Sequence, residues 1–229
     1  MQLNPLLFNA DNSAFYAEFS SDGGPFGLLR ENMKDGQRTM LAQDKFSSIA
    51  TIEYTAAPYK PFAYTLEMGV PKARYIDETL PDAQLHKALS AAFPDSYVHF
   101  INFTTDGQKL LFSVRGDREP GSYYIFDKLA GKAELLLTNM PGIAAEQMAE
   151  RRAIKFKARD GLDIAGYLTV PNNPQGEKFP LILLPHGGPI GISDDWFFDV
   201  DAQFLASRGY AVLQVNYRGS SGRGPLFEG

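Results

Sequence analysis

Apolar and polar positions alternate in short runs over the first 140 residues, which is the mark of half-buried strands. Such runs are FYAEF (Phe15–Phe19), FGLLRE (26–31) and TMLA (39–42), then TIEYT (Thr51–Thr55) and FAYTLE (Phe62–Glu67), and later KLLFSV (109–114), YYIFD (123–127) and AELLLT (133–138). Between the second and third groups the period changes. After Pro81, DAQLHKALSAAF puts Leu85 and Leu89 one turn apart with Ala88 and Ala92 beside them, which predicts a helix stopped by Pro94.

The pattern repeats itself. Asp11, Phe15, Asp22, Gly36 and Leu41 fall on Asp106, Leu110, Asp117, Gly131 and Leu136 without a gap, a shift of 106 − 11 = 95. That is too long for one propeller blade and suits two, since a blade of four strands takes about 40 to 50 residues. Residues 1 to about 140 therefore read as three consecutive β-blades with one helical insertion; the alternative is an ordinary antiparallel meander. Three blades do not close a ring of the usual ~4 to 8, so the expectation is a piece of something larger.

A break follows at Asn139–Arg152, the predicted domain boundary. Beyond it AIKFKA and LDIAGYLTVP flank Arg159-Asp160-Gly161, a hairpin signal. Ile154, Phe156 and Ala158 alternate on one strand, and Ile164, Leu168 and Val170 on the other. PNNPQGEKFP (Pro171–Pro180) reads as a turn-rich loop. Leu181–Leu184 is a continuous apolar run, expected to be a strand buried on both faces as in a parallel sheet. DVDAQFLASRG predicts a helix with Val200, Phe204 and Leu205 on one face, Asp199 or Asp201 at its start and Gly209 at its end. Tyr210–Asn216 is a second parallel strand, completing a strand–helix–strand crossover. The last strand is expected to be an exposed sheet edge, open to pairing with another chain.

Composition narrows the function without naming it. Over 229 residues the charge is −5 and the pI about 5.2, which gives a nucleic-acid partner no electrostatic support. No apolar run approaches the ~20 residues that cross a bilayer, and MQLNPLLFNADNS lacks the basic start and apolar core of a signal peptide. With 0 cysteines, disulfides and thiolate chemistry are excluded. The expected location is the cytoplasm, with the periplasm or secretion left open for a longer parent carrying an export signal. His86, His99 and His186 show no ligand spacing, so no metal and no cofactor are expected.

The candidate chemistry sits where the apolar run Leu181–Leu184 meets Pro185-His186-Gly187-Gly188-Pro189. In α/β-hydrolases an HGG-type loop after the third strand supplies one oxyanion-hole donor. Gly188 is the candidate donor through its backbone N–H, unless Gly187 and Gly188 merely form a tight turn. Asp194 and Asp195 before Trp196 suit capping more than a pocket. Tyr217 and Arg218 open the loop after the second parallel strand, the edge where α/β ligands bind.

PHGGP with Trp196 seven residues beyond Pro189, QFLASRGYAVLQVNYRGSSGRG and ARDGLDIAGYLTVP together resemble the prolyl oligopeptidase family of serine peptidases, in its dipeptidyl and acylaminoacyl peptidase-like branch. DGQKLLFSVRGDREPGSYYIFD resembles the last propeller blades of that branch, so the likeness covers nearly the whole chain in the family's order. It implies a mixed fold: a partial β-propeller of about three blades over 1–145, then the N-terminal part of an α/β-hydrolase domain over 146–229. It also implies hydrolysis of short peptides through an acyl-enzyme, with no nucleic acid and no membrane as partner.

The resemblance assigns His186 and Gly188 to the oxyanion hole, His186 standing where relatives place a Tyr or His, and Gly187, Trp196, Tyr217 and Arg218 to substrate binding. Arg218 equally suits bracing of the loops, and Tyr123, Tyr124 and Phe126 suit a blade core. The Ser, Asp and His of such a triad come after the fourth strand. No G-x-S-x-G occurs: in GSSGRG, Arg223 stands where the final glycine would be. The expectation is thus an inactive fragment of a peptidase. Two other readings are a non-catalytic, propeller-type peptide or protein binding module and a small-ester esterase, the latter opposed by the blades.

Overall fold

The structure, a computed structural model, describes residues 1–172, 178–188 and 191–229. Part of the turn-rich loop at Pro171–Pro180, and Pro189 of the PHGGP motif, lie outside the described residues. The chain divides into two compact units, one made mainly of Met1–Ala88 with Arg218–Gly229, the other mainly of Leu89–Gly188 with Ile192–Tyr217.

In the first unit β1 (Gln2–Phe8), β2 (Ala14–Ser20), β3 (Gly27–Asn32) and β4 (Arg38–Ala42) form an antiparallel sheet in chain order. Its inner face buries Tyr16, Leu28 and Ala42 together with Ile49. A three-stranded sheet follows, of β5 (Ile49–Tyr54), β6 (Pro61–Leu66) and the short β7 (Arg74–Tyr75). Helix α1 (Pro81–Ala92) comes next, with His86 fully buried and its Nδ1 2.8 Å from the Tyr75 hydroxyl. This histidine is a structural one. The chain's last residues, including α3 (Pro225–Glu228), pack on loops of this unit: the Leu226 N–H donates to the Gly23 carbonyl between β2 and β3, and Arg223 has Phe46 and Phe227 rings on it, each 4.1 Å from its guanidinium carbon.

The second unit opens with β8 (Tyr97–Phe103), β9 (Lys109–Arg115), β10 (Ser122–Asp127) and β11 (Lys132–Thr138), again an antiparallel sheet in chain order. The offset of 95 holds at the level of strand ends, 97 − 2, 109 − 14 and 122 − 27 all giving 95. Even the irregularities recur. The β1–β2 register slips between Pro5 and Leu7, and β8–β9 slips between Phe100 and Asn102, the same positions plus 95. The Leu28/Leu29 shift has its counterpart at Tyr123/Tyr124. Asp11 accepts from the Ser13 N–H and Asp106 from the Gln108 N–H, both at 3.0 Å, so the same aspartate turn joins both strand pairs. Tyr124 stacks on the buried Phe112 with centroids 5.2 Å apart, while Tyr123 and Phe126 are half-buried. The first strand of each sheet, β1 and β8, had no clear alternation and was missed by the pattern.

After a single turn of 3-10 helix at Ala145–Gln147 the unit continues with β12 (Glu150–Lys157) and β13 (Asp163–Val170), the expected hairpin. Strand β14 (Leu181–Leu183), helix α2 (Val200–Ser207) and strand β15 (Ala211–Asn216) complete a mixed sheet in the order β12-β13-β15-β14. β14 and β15 are parallel, as expected of a crossover, and β13 runs antiparallel to β15.

Three expectations are corrected here. β14 is not buried on both faces: Leu181 is 58% and Leu183 61% exposed, so the face these alternate residues share is uncovered among the described residues, and the strand stands at the sheet's end beside β15. Accordingly the last strand, β15, is not the edge; it has hydrogen-bonded neighbours on both sides. The face of α2 that carries Val200 and Phe204 is more than half exposed at both residues, whereas Ala202, Gln203 and Ala206 are buried. Small residues let the helix approach the sheet closely, and Gln203 exchanges hydrogen bonds with both backbone groups of Ala149 and donates to the Asp117 carbonyl. Asp199 caps α2, accepting from the Ala202 N–H at 2.8 Å, and Gly209 follows the helix at φ +89°.

Candidate active site

The candidate loop leaves the end of β14, where the Leu184 N–H still donates to the Leu213 carbonyl. Parallel neighbours β14 and β15 end side by side, so the loops beyond Leu184 and beyond Asn216 meet at one edge of the sheet. There the His186 ring stacks on Tyr217, with centroids 4.5 Å apart and planes 13° from parallel. The Tyr217 hydroxyl donates to the His186 carbonyl at 2.8 Å. His186 Nδ1 lies 2.8 Å from the Gly187 carbonyl, and since a carbonyl only accepts, that nitrogen carries the hydrogen.

Gly187 and Gly188 are both exposed, but their backbones differ. Gly188 sits at φ +148°, a conformation side-chain-bearing residues rarely take, whereas a Cβ on Gly187 would meet nothing within 4 Å. Among the described residues no group accepts the Gly188 N–H. An exposed, unengaged amide at a strand end can donate to an anionic oxygen.

The returning limb of the loop is anchored from below. Asn216, fully buried, accepts from the Asp194 N–H at 2.8 Å and donates to the Asp194 carbonyl at 2.9 Å. Gln214 donates to Asp194 Oδ1 at 2.8 Å. Burial raises the Asp194 pKa, opposed by the charges of His186 and Arg151. Trp196 is buried, and its indole N–H donates to the Arg151 carbonyl at 2.7 Å; it packs under the loop rather than lining open space. Arg218 is exposed.

Arg151 was not singled out from the sequence, yet it ties this region together. Its side chain, 2% exposed, donates to the Asp195 carbonyl at 2.9 Å, to Thr169 Oγ1 and to Gln214 Oε1. Burial lowers its pKa, with Asp199, Asp194 and Asp195 pulling it back up. Its backbone N–H donates to Asp117 Oδ2 at 2.8 Å, and burial raises the Asp117 pKa. The Phe198 N–H donates to the Gly116 carbonyl, so a backbone bond joins the β9–β10 turn to the Asp194–Asp199 segment. An arginine at an inward strand position was the one sequence signal, and it did not stand out among its charged neighbours.

No family model matches the chain. It is 27% identical over 224 residues to dipeptidyl aminopeptidase BIII of Pseudoxanthomonas mexicana, covering 95% of this chain and 32% of that protein. Over 66 residues it is 41% identical to the acylamino-acid-releasing enzyme of Sus scrofa, 28% of this chain and 9% of that enzyme. Its fold matches the puromycin-hydrolyzing peptidase of Mycobacterium tuberculosis with a TM-score of 0.66 at 19% identity, over 98% of this chain and 35% of that one. Its relatives and structural neighbours are prolyl oligopeptidase-family peptidases. The chain thus spans about a third of the length of the peptidases that it matches along nearly all of its own. Among the described residues, no helix is long and apolar enough to cross a membrane.

Proposed function

We propose that this chain supplies the oxyanion-donor loop and part of the substrate-restricting propeller of a serine peptidase acting on short peptides. The observation that carries this reading is the Gly188 amide, exposed at the end of a parallel strand pair, at a φ suited to glycine, on a loop that His186 and Tyr217 hold. On this reading β1–β4, β5–β7 and β8–β11 are three propeller blades, residues 1–145 are their domain, and the mixed sheet β12–β15 begins the α/β-hydrolase domain at about 146.

The chemistry follows from the placement. A serine alkoxide attacking a peptide carbonyl moves negative charge onto that oxygen, and a preset amide donor stabilises it by about 2.7 to 4 kcal/mol. Gly188 is the donor in this scheme, and His186 and Tyr217 set the loop's shape. Gly187, Tyr217 and Arg218 border the substrate, while Trp196 acts from beneath as support. The 229 residues hold no G-x-S-x-G, so the attacking serine belongs to a longer chain. A fluorophosphonate probe leaves the 229-residue chain unlabelled and labels a chain extended through such a motif; covalent labelling of the 229-residue chain overturns the reading. The bare edge of β14, with Leu181 and Leu183 outward, is where self-association of this chain would start. Light scattering reads it, and a monomer at high concentration argues against it.

A further inference from the structure

Asn216 stands at a place where the strand would favour an aliphatic side chain. It lies in the sheet's interior strand, is 0% exposed, and shares its face with Gln214, itself 3% exposed. Burying an amide costs free energy unless every polar atom finds a partner. Both atoms of the Asn216 amide find theirs on one residue, the N–H and the C=O of Asp194, 22 positions away. The side chain thus acts as one rung of a ladder, with Asp194 as its opposite number. The next residue, Tyr217, holds His186 by the stack and by the hydroxyl bond to its carbonyl. Two consecutive residues at the end of β15 therefore grip both limbs of the loop that carries Gly188.

We propose that Asn216 is a positioning residue for the Gly188 amide, closing the loop at Asp194 while Tyr217 closes it at His186. A tether on each side of Gly188 reduces the conformations open to it. An oxyanion donor is effective when it needs no rearrangement as charge develops. The importance of this clasp for catalysis rests on the reading of Gly188 as a donor; the clasp itself does not.

The test is backbone 15N relaxation on the 229-residue protein. The Gly188 amide is expected to have an order parameter of about 0.85, falling below about 0.6 in Asn216→Ala, with β12 and β13 amides unchanged. Asn216→Asp adds a readout that general destabilisation would not move. Its ionised carboxylate still accepts from the Asp194 N–H but cannot donate to the Asp194 carbonyl, and the loop loosens. Protonated at low pH, it regains a donor, and Gly188 becomes ordered again. Asp194, with His186, Arg151, Asp195 and Asp199 around it, titrates in both proteins, so each pH is compared with the parent. An equally ordered Gly188 in Asn216→Ala, or equal loosening of the whole sheet, overturns the proposal. Should Asn216→Ala fail to fold, order at Gly188 that does not respond to pH in Asn216→Asp overturns it. None of these outcomes depends on peptidase chemistry, whereas probe labelling tests that reading alone.

Discussion

His186 and Tyr217, 31 positions apart, lie ring on ring at 4.5 Å, and the tyrosine hydroxyl also holds the histidine's carbonyl. Neither contact exists without the parallel pairing of β14 and β15, which brings the two strand ends together. Removing the hydroxyl in Tyr217→Phe should cost about 1 kcal/mol. His186→Ala removes the stack and should cost about 0.5 to 1.5 kcal/mol. The double variant should cost about the sum, since phenylalanine keeps the ring and alanine keeps the backbone carbonyl that the hydroxyl bonds, so each change breaks a different contact. Denaturant unfolding of the four proteins measures this; a double variant costing well under the sum would show that the hydroxyl bond and the stack form only together.

The two glycines separate by backbone, not by exposure. Gly187→Ala has room for its methyl and should change stability by less than about 0.5 kcal/mol. Gly188→Ala forces a side chain onto φ +148° and should cost about 1 to 3 kcal/mol, or shift the loop to avoid it. A comparison of melting temperatures and of the Gly188-region amide shifts distinguishes them. Equal effects would mean that the Gly188 conformation is not needed.

Arg151 is a buried cation whose fork serves three acceptors and whose charge faces Asp194, Asp195 and Asp199. Arg151→Met should destabilise by about 1 to 3 kcal/mol, because it leaves the buried acceptors of Thr169 and Gln214 without their donor. Arg151→Lys should not restore the loss, since an ammonium lacks the planar fork. The single tryptophan reports on it directly, as Trp196 donates to the Arg151 carbonyl. A loss under about 1 kcal/mol in fluorescence-monitored urea unfolding would contradict this account.

Acid should act through exposed aspartates of the turns. Hydrogen bonds from Thr79, then Lys60, hold the Asp77 carboxyl down at about 2. A pKa lowered by folding contributes stability above the unfolded value, about 3.9, and that contribution is lost as the pH falls through about 2. Asp117 and Asp194, raised by burial, work the other way: their protonated forms favour the fold, and that contribution is lost as the pH rises through their raised values. Between pH 5 and 2 the melting temperature should therefore fall less steeply in Asp77→Asn than in the parent. Parallel slopes would exclude the Thr79 and Lys60 bonds as the cause.

What the order of residues alone determined is whatever near neighbours control. Alternation, a proline before a helix and Asp-Gly between strands act over a few positions, so the paired sheets, α1, the β12–β13 hairpin and the crossover were legible. The offset of 95 was legible for the same reason, since identical turn chemistry at Asp11 and Asp106 rebuilds the same sheet. Tertiary structure alone decided which apolar runs find cover. The run at β14 reads the same whether it has one neighbour or two, and its exposed leucines follow from the partners present, not from its composition. The inward side of α2 was set by close approach and by Gln203 meeting Ala149 and Asp117, across separations of 54 and 86 residues. The grip of Asn216 on Asp194 and of Arg151 on Gln214 arises likewise, because a buried polar group must be satisfied, but only the folded register says by whom.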